Sequence, residues 1–198
     1  MKNPCVFLDK DGTLVEDIPY NVDPGLIRLS AGATAGLRLL HAAGFRLIVI
    51  SNQSGVALGR FPESALAGVH ARLEELLADV GVPLAGFYYC PHHPQGQLPC
   101  YTQACLCRKP QPGLITRAAW DHEIDLAGSW FVGDILDDVE AGHRAGCRTV
   151  LVDNGHETLW QRSPLRWPHH VATSLADAAL RIIAVIGAVN HDGTGRLE

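Results

Sequence analysis

A surplus of basic residues is absent from this 198-residue chain, where 16 Lys and Arg stand against 21 Asp and Glu for a formal charge of −5. No broad cationic surface is available to neutralise the phosphates of a polynucleotide, so nucleic acid is not an expected partner. An anionic small molecule must instead meet a local basic cluster. Long uncharged apolar runs are missing too. The most apolar long segment, Val171 to Val189, is interrupted by Asp177 and Arg181, whereas a spanning helix needs about 20 nearly uncharged residues. It reads as a helix packed on a sheet, and no membrane partner is expected. The N-terminus shows no charged region followed by an apolar run and a small-residue cleavage site, so the expected location is the cytoplasm. No repeat, internal linker or heptad is present, and a monomer is expected. Residues 190–198 carry glycines and charges without periodicity and read as a flexible tail.

With 47% hydrophobic residues the chain can bury a sizeable core, and its length fits one domain, assigned to residues 1–189. Short β-branched runs alternate with Ala/Leu-rich helical patterns. Cys5 to Leu8 precedes a helix over Ala31 to Ala43, and Arg46 to Ile50 precedes one over Pro62 to Val80. Gly44 and Gly81 stand where C-terminal caps belong. Leu84 to Tyr89, Ser129 to Val132 and Arg148 to Val152 read as further strands, with helices over 112–123 and 137–145 between them. The strands are apolar throughout, as expected when both faces are covered. The pattern predicts an α/β fold: a doubly wound, mainly parallel sheet.

In such sheets ligands gather beyond the carboxyl ends of the strands, and the polar residues obey that rule. Asp9 follows the first strand, Ser51-Asn52 the second and Gly133-Asp134 the strand before it, while Lys109 opens the helix leading into that last strand. Asp9 and Asp11 are two residues apart, so they share one side of an extended chain. Two like charges held that close invite a cation, a shared proton, or both.

Between Tyr89 and Arg108 lies a loop dense in Cys, His and Pro, containing Cys90-x-His92, twelve intervening residues, then Cys105-x-Cys107. Zinc takes four thiolate or imidazole ligands tetrahedrally, and closed sets of this kind are structural. Disulfides are the alternative, which a cytosolic chain disfavours. Cys90, His92, Cys105 and Cys107 are the expected Zn2+ ligands, with Cys100 and His93 as spares. The loop has no other evident core, so zinc should fold it and bring Arg108-Lys109 to the site. Cys5 and Cys147 border apolar strands and read as buried small hydrophobes.

Asp9-Lys10-Asp11-Gly12-Thr13, Ser51-Asn52-Gln53-Ser54-Gly55, Arg108-Lys109-Pro110 and Gly133-Asp134 resemble, in order and spacing, the four motifs of the haloacid dehalogenase superfamily. The resemblance runs from about Val6 to Val152. It implies a Rossmann-like core and a phosphatase in which Asp9 attacks phosphorus and Asp11 is the general acid and base. It further implies Mg2+ held by the Asp9 and Asp134 carboxylates with the backbone carbonyl of Asp11. Ser51 and Lys109 hold the phosphoryl oxygens. Asp138 matches a further acidic position and is expected to orient Lys109 or metal-bound water; Asp137 is read as a helix cap. Only about forty residues separate the first two motifs, leaving no room for a cap domain between them.

The Cys/His loop before Arg-Lys-Pro resembles the branch containing the heptose-bisphosphate and histidinol-phosphate phosphatases. That resemblance implies a small sugar phosphate, foremost D-glycero-D-manno-heptose 1,7-bisphosphate cleaved at the 7-phosphate, with histidinol phosphate as the rival. Asp17 and Tyr20 are expected to touch sugar hydroxyls, and Asn52, Gln53 and Ser54 to line the same pocket. Arg108 is expected to receive a second phosphate, since a guanidinium suits phosphate oxygens. Two departures stand out. Leu58 and Arg60 occupy places where the heptose enzymes usually carry an arginine and an aromatic, and Arg60 is expected to restore the charge. Ile135 stands where lysine is common. A phospho-accepting receiver domain also uses an Asp, a Ser/Thr and a Lys, but lacks an acid two residues beyond the Asp.

Overall fold

In the computed structural model, which describes residues 3–192, the chain forms a six-stranded sheet, every neighbouring pair parallel. The strands are β1 (Cys5–Leu8), β2 (Arg46–Asn52), β3 (Gly86–Cys90), β4 (Trp130–Gly133), β5 (Arg148–Val152) and β6 (His170–Ala172). Their spatial order is β3-β2-β1-β4-β5-β6. The helices are α1 (Ala33–Ala42), α2 (Leu66–Asp79), α3 (Gly113–Asp121), α4 (Leu136–Ala145) and α5 (Leu175–Asp192). Strand order reverses about β1, which lies between β2 and β4. Such a switch point opens a crevice at the carboxyl ends of the strands.

Period-two alternation explains how the sheet is covered on both sides. Val6 and Leu8, Leu47 and Val49, and Trp130 and Val132 point into one apolar layer with α1, α2 and α5. Cys5 and Phe7, Ile48 and Ile50, and Phe131 point into the other, with α3 and α4. Helix α2 shows why its sequence is helical: Leu66, Val69, Leu73 and Leu77 recur at spacings of three and four and are its buried residues. Each such leucine contributes roughly 1.5–3 kcal/mol on burial. The helix stops at Gly81, whose φ of +76° suits a residue without a Cβ.

Four sequence expectations need correction. Val171 and Ala172 read as the start of the last helix, yet with His170 they form edge strand β6, pairing with β5 through Val150–His170 and Leu151–Val171. Three residues are too few to display a period. Helix α5 continues through Asp192, past the expected tail boundary at 190; residues 193–198 of that tail lie outside the described residues. Ser51 and Asn52 are the last residues of β2 rather than its successors. Asp137 does not cap α4: it pairs with Arg166 at 2.5 Å. The free amides of that helix start are met by Asp138, accepting from Ile135 N–H at 3.2 Å, and by Glu157, accepting from Leu136 N–H at 2.7 Å. Among the described residues, no helix is long and apolar enough to cross a membrane.

Candidate active site and metal centres

The carboxyl ends of β1, β2 and β4 deliver Asp9, Ser51 and Asp134 to one crevice. Asp9 N–H donates to the Val132 carbonyl at 2.9 Å, carrying the β1–β4 ladder one residue past the strand. The chain then turns at Gly12, where φ is +78° and any Cβ would collide with Asp134 and His156. Leu14 and Val15 N–H both donate back to the Lys10 carbonyl, at 3.0 and 2.9 Å, closing the loop.

Lys109 is 3% exposed, and its ammonium lies 2.5 Å from Asp9 and 2.6 Å from Asp138. It also donates to the Ile50 carbonyl at 3.2 Å. Burial alone disfavours the charged amine, but the two carboxylates outweigh it and hold the pKa above the usual lysine value. Asn52 fixes the backbone here: its carbonyl oxygen accepts from Lys109 N–H at 3.0 Å and its amide donates to the Lys109 carbonyl at 3.2 Å. The long loop from β3 is thereby pinned to β2.

Asp9, Asp134 and Asp138 each offer a carboxylate oxygen within 4.8 Å of the others, and all three are buried. Burial, then the neighbouring Asp9 carboxylate, push Asp134 up to about 8. Crowding of this kind calls for a cation beyond the single ammonium present. An all-oxygen donor set suits a hard ion, and Mg2+ fits the residues present. Asp138 is committed to Lys109 at one end of the group, leaving Asp9 and Asp134 as the carboxylates best placed for the ion. The Asp11 side chain stands apart: it accepts from the Lys10 ammonium at 2.5 Å. Burial raises its pKa, partly offset by Lys10. Lys10 itself is 2% exposed.

Gln53 donates to the Ser51 hydroxyl at 2.7 Å and reaches Asp11 at 3.4 Å, linking the second motif to the first. Beside Asp11 opens a cleft of about 250 Å³ whose walls include Asp17, Tyr20, Asn52, Gln53 and Ser54. The five residues expected to line a substrate pocket are thus brought together. Arg60 is exposed and does not line the cleft; its guanidinium lies 5.5 Å from the centre of the Tyr20 ring. Arg108 lies against the Cys/His loop, donating to the His92 carbonyl at 3.4 Å.

Cys90, His92, Cys105 and Cys107 present their ligand atoms within 4.8 Å of one another. Sulfur separations run 3.1 Å for Cys90–Cys107, 3.2 Å for Cys105–Cys107 and 3.5 Å for Cys90–Cys105. These exceed the roughly 2.05 Å of a disulfide, and they suit sulfurs sharing one ion at about 2.3 Å each. His92 Nδ1 completes the set, 3.4 Å from the Cys107 sulfur. The residues fit Zn2+. The spares lie apart: Cys100 is exposed, and His93 Nδ1 accepts from Gln95 N–H at 3.1 Å. Cys5 and Cys147 are buried, where desolvation pushes the Cys147 thiol up to about 12.

Sequence reasoning missed the loop after β5. His156 Nδ1 meets Asp134 at 2.6 Å, and Asn154 donates to the Gly12 carbonyl at 2.6 Å. The available signal was position: Asn154-Gly155-His156 follows the carboxyl end of a strand, as the recognised residues do. It also missed that Lys10, between the two acids, turns inward on Asp11.

The HAD-hydrolase-like family model matches residues 106–178. A curated D-glycero-beta-D-manno-heptose-1,7-bisphosphate 7-phosphatase of Salmonella typhi is 40% identical over 176 residues, spanning 88% of this chain and 92% of that protein. The protein of the same name from Escherichia coli (strain K12) is 42% identical over 153 residues, spanning 77% and 80%. Among solved structures, D,D-heptose 1,7-bisphosphate phosphatase from B. bronchiseptica, complexed with magnesium and phosphate, aligns with a TM-score of 0.78 at 32% identity. That alignment covers 93% of this chain and 99% of that one. The chain belongs to the HAD-like family of hydrolases. Within it the protein is a phosphatase, a phosphoric monoester hydrolase of the family's magnesium-dependent kind.

Proposed function

We propose that the protein hydrolyses D-glycero-D-manno-heptose 1,7-bisphosphate at the 7-phosphate through an aspartyl-phosphate on Asp9. The observation that carries the chemical part is the joint placement of Asp9, Asp134 and Lys109 at the mouth of the sheet, with Asp11 beside an open cleft. Support for the sugar comes from relatives named for it that match most of this chain.

In the first step Asp9 Oδ forms a bond to phosphorus as the bond to the sugar oxygen breaks, and Asp11 gives its proton to that departing oxygen. In the second, Asp11 takes a proton from water, whose oxygen displaces Asp9 and releases inorganic phosphate. Burial raises the Asp11 pKa, which favours the protonated form the first step needs. Lys109 is held against Asp9 and, with Ser51, donates to the phosphoryl oxygens. Asp138 acts by orienting Lys109. Asp9, Asp134 and the Asp11 carbonyl would hold Mg2+, which would supply charge neutralisation between the attacking carboxylate and the phosphate. Asp17, Tyr20, Asn52, Gln53 and Ser54 hold the sugar in the cleft, with Arg60 and Arg108 as the cations available to the second phosphate. Zn2+ on Cys90, His92, Cys105 and Cys107 organises the loop that ends in Lys109.

We read one domain that runs through the end of α5, with the zinc loop over 90–107. The protein is proposed to act as a monomer in the cytoplasm, where cysteine thiols are kept reduced. A phosphate-release panel tests the substrate. Preference for the heptose bisphosphate over histidinol phosphate and fructose bisphosphate is expected. Preference for histidinol phosphate would favour the rival monophosphate reaction, and similar low rates on all three would remove the heptose assignment while leaving the phosphatase.

A further inference from the structure

Glu63 begins a single helical turn just before α2 and just after the segment that lines the cleft. Its two carboxylate oxygens are taken by two phenols. Tyr101 donates to Oε2 at 2.7 Å and Tyr89 donates to Oε1 at 3.1 Å. Both tyrosines belong to the zinc region. Tyr89 directly precedes Cys90, and the Tyr101 ring is centred 6.3 Å from that of His92. Hydrogen bonding to Glu63 pushes the Tyr101 phenol up to about 12, and burial with Glu63 raises Tyr89. Both therefore stay protonated donors at neutral pH.

The same two segments also touch through their backbones. Gln97 and Leu98 N–H both donate to the Ala57 carbonyl, at 2.7 and 3.0 Å, and Ala57 N–H donates to the Pro91 carbonyl at 3.2 Å. Gly96 presses so close that a Cβ there would stand 3.0 Å from Ala57 Cβ. Ala57 lies only three residues beyond Ser54, on the cleft wall. The position of the zinc loop and the shape of the cleft are therefore one mechanical problem.

We propose that Glu63 is a positioning residue, latching the zinc loop onto segment 53–61 through Tyr101 and Tyr89 and so fixing the cleft that holds the non-reacting part of the substrate. It touches neither phosphate nor metal. The inference rests on reading that cleft as the substrate's site. Loosening the latch weakens recognition of a large substrate while sparing the chemical step, because Asp9, Lys109 and Asp134 are held by other bonds.

Tyr101→Phe removes one hydroxyl and keeps the ring. Its KM for the heptose bisphosphate is expected to rise roughly fivefold to tenfold, as loss of about one hydrogen bond to a charged group allows. The kcat, and kcat/KM for the small substrate p-nitrophenyl phosphate, are expected to stay close to wild type, with zinc content unchanged. Glu63→Gln, whose amide oxygen still accepts from Tyr101, should recover most of what Glu63→Ala loses. Hydrogen exchange at the Gln97 and Leu98 amides should quicken in Tyr101→Phe. Where the wild type turns over the bisphosphate, an unchanged KM in Tyr101→Phe would overturn the latch, as would equal losses on both substrates or loss of zinc. A wild type inactive on the bisphosphate would instead overturn the substrate reading. Exchange would then decide the latch alone, and unchanged exchange would overturn it.

Discussion

Lys109 Nζ stands 2.5 Å from Asp9 Oδ1 although the two residues are 100 positions apart. Asp138 holds the same ammonium from its far side at 2.6 Å, and all three groups are buried. Removing one partner of such a group leaves uncompensated charge in the interior. Lys109→Met is therefore expected to lose about 3–5 kcal/mol of stability in urea unfolding without added magnesium, and at least about 100-fold in phosphatase kcat.

The three buried carboxylates of Asp9, Asp134 and Asp138 make Mg2+ a stabilising ligand of the native state. At a magnesium concentration about 100 times its dissociation constant, the gain is about 2.7 kcal/mol. Thermal unfolding should show a higher midpoint with magnesium, and Asp134→Asn should abolish most of that shift. An equal shift in both proteins would place the ion elsewhere.

Zinc removal should act on one region. The Cys/His loop is tied to the rest by Asn52 on Lys109 and by the Ala57 contacts; its cysteines touch one apolar layer at Cys90, Cys105 and Cys107, but most of both layers is built from strand and helix residues outside it. A zinc chelator, or Cys105→Ser, should abolish turnover while far-UV circular dichroism keeps most of its intensity. Full unfolding on zinc loss would show that the loop carries the whole fold.

Glu140 supplies a pH test away from the site. Burial works to raise its pKa, but Arg144 at 2.7 Å and Arg166 at 2.7 Å outweigh burial and leave it below the usual value. A carboxyl with a lowered folded pKa contributes stability above the unfolded value, and that contribution is lost as pH falls through the folded one. The stability gap between wild type and Glu140→Gln should be constant near neutral pH and close below about pH 4. A gap that persists into stronger acid would contradict the pairing.

Strand ends were legible where a polar residue or a turn bounds the apolar run. Cys5–Leu8 and Arg148–Val152 have the expected ends, because apolar runs covered on both faces are bounded by polar residues. Strand β6 was not legible, since an edge strand of three residues has no period to show and abuts a helical pattern. The convergence of Asp9, Ser51, Lys109 and Asp134 was legible from position: three stand at the carboxyl ends of strands, and Lys109 stands in the turn before α3. His156 was not: its meeting with Asp134 depends on β5 lying next to β4, a fact of strand order rather than of local sequence. Asp137 was read as a cap from its place at a helix start, and only the folded chain brings Arg166 across to claim it.

Asp9 as nucleophile is tested most directly by magnesium-dependent phosphate release from Asp9→Asn. The amide cannot form the acyl phosphate, so turnover of the heptose bisphosphate should fall by at least about 1,000-fold while the protein remains folded by circular dichroism. Near-normal, magnesium-dependent release from a clean preparation of the folded variant would contradict the mechanism at its first step.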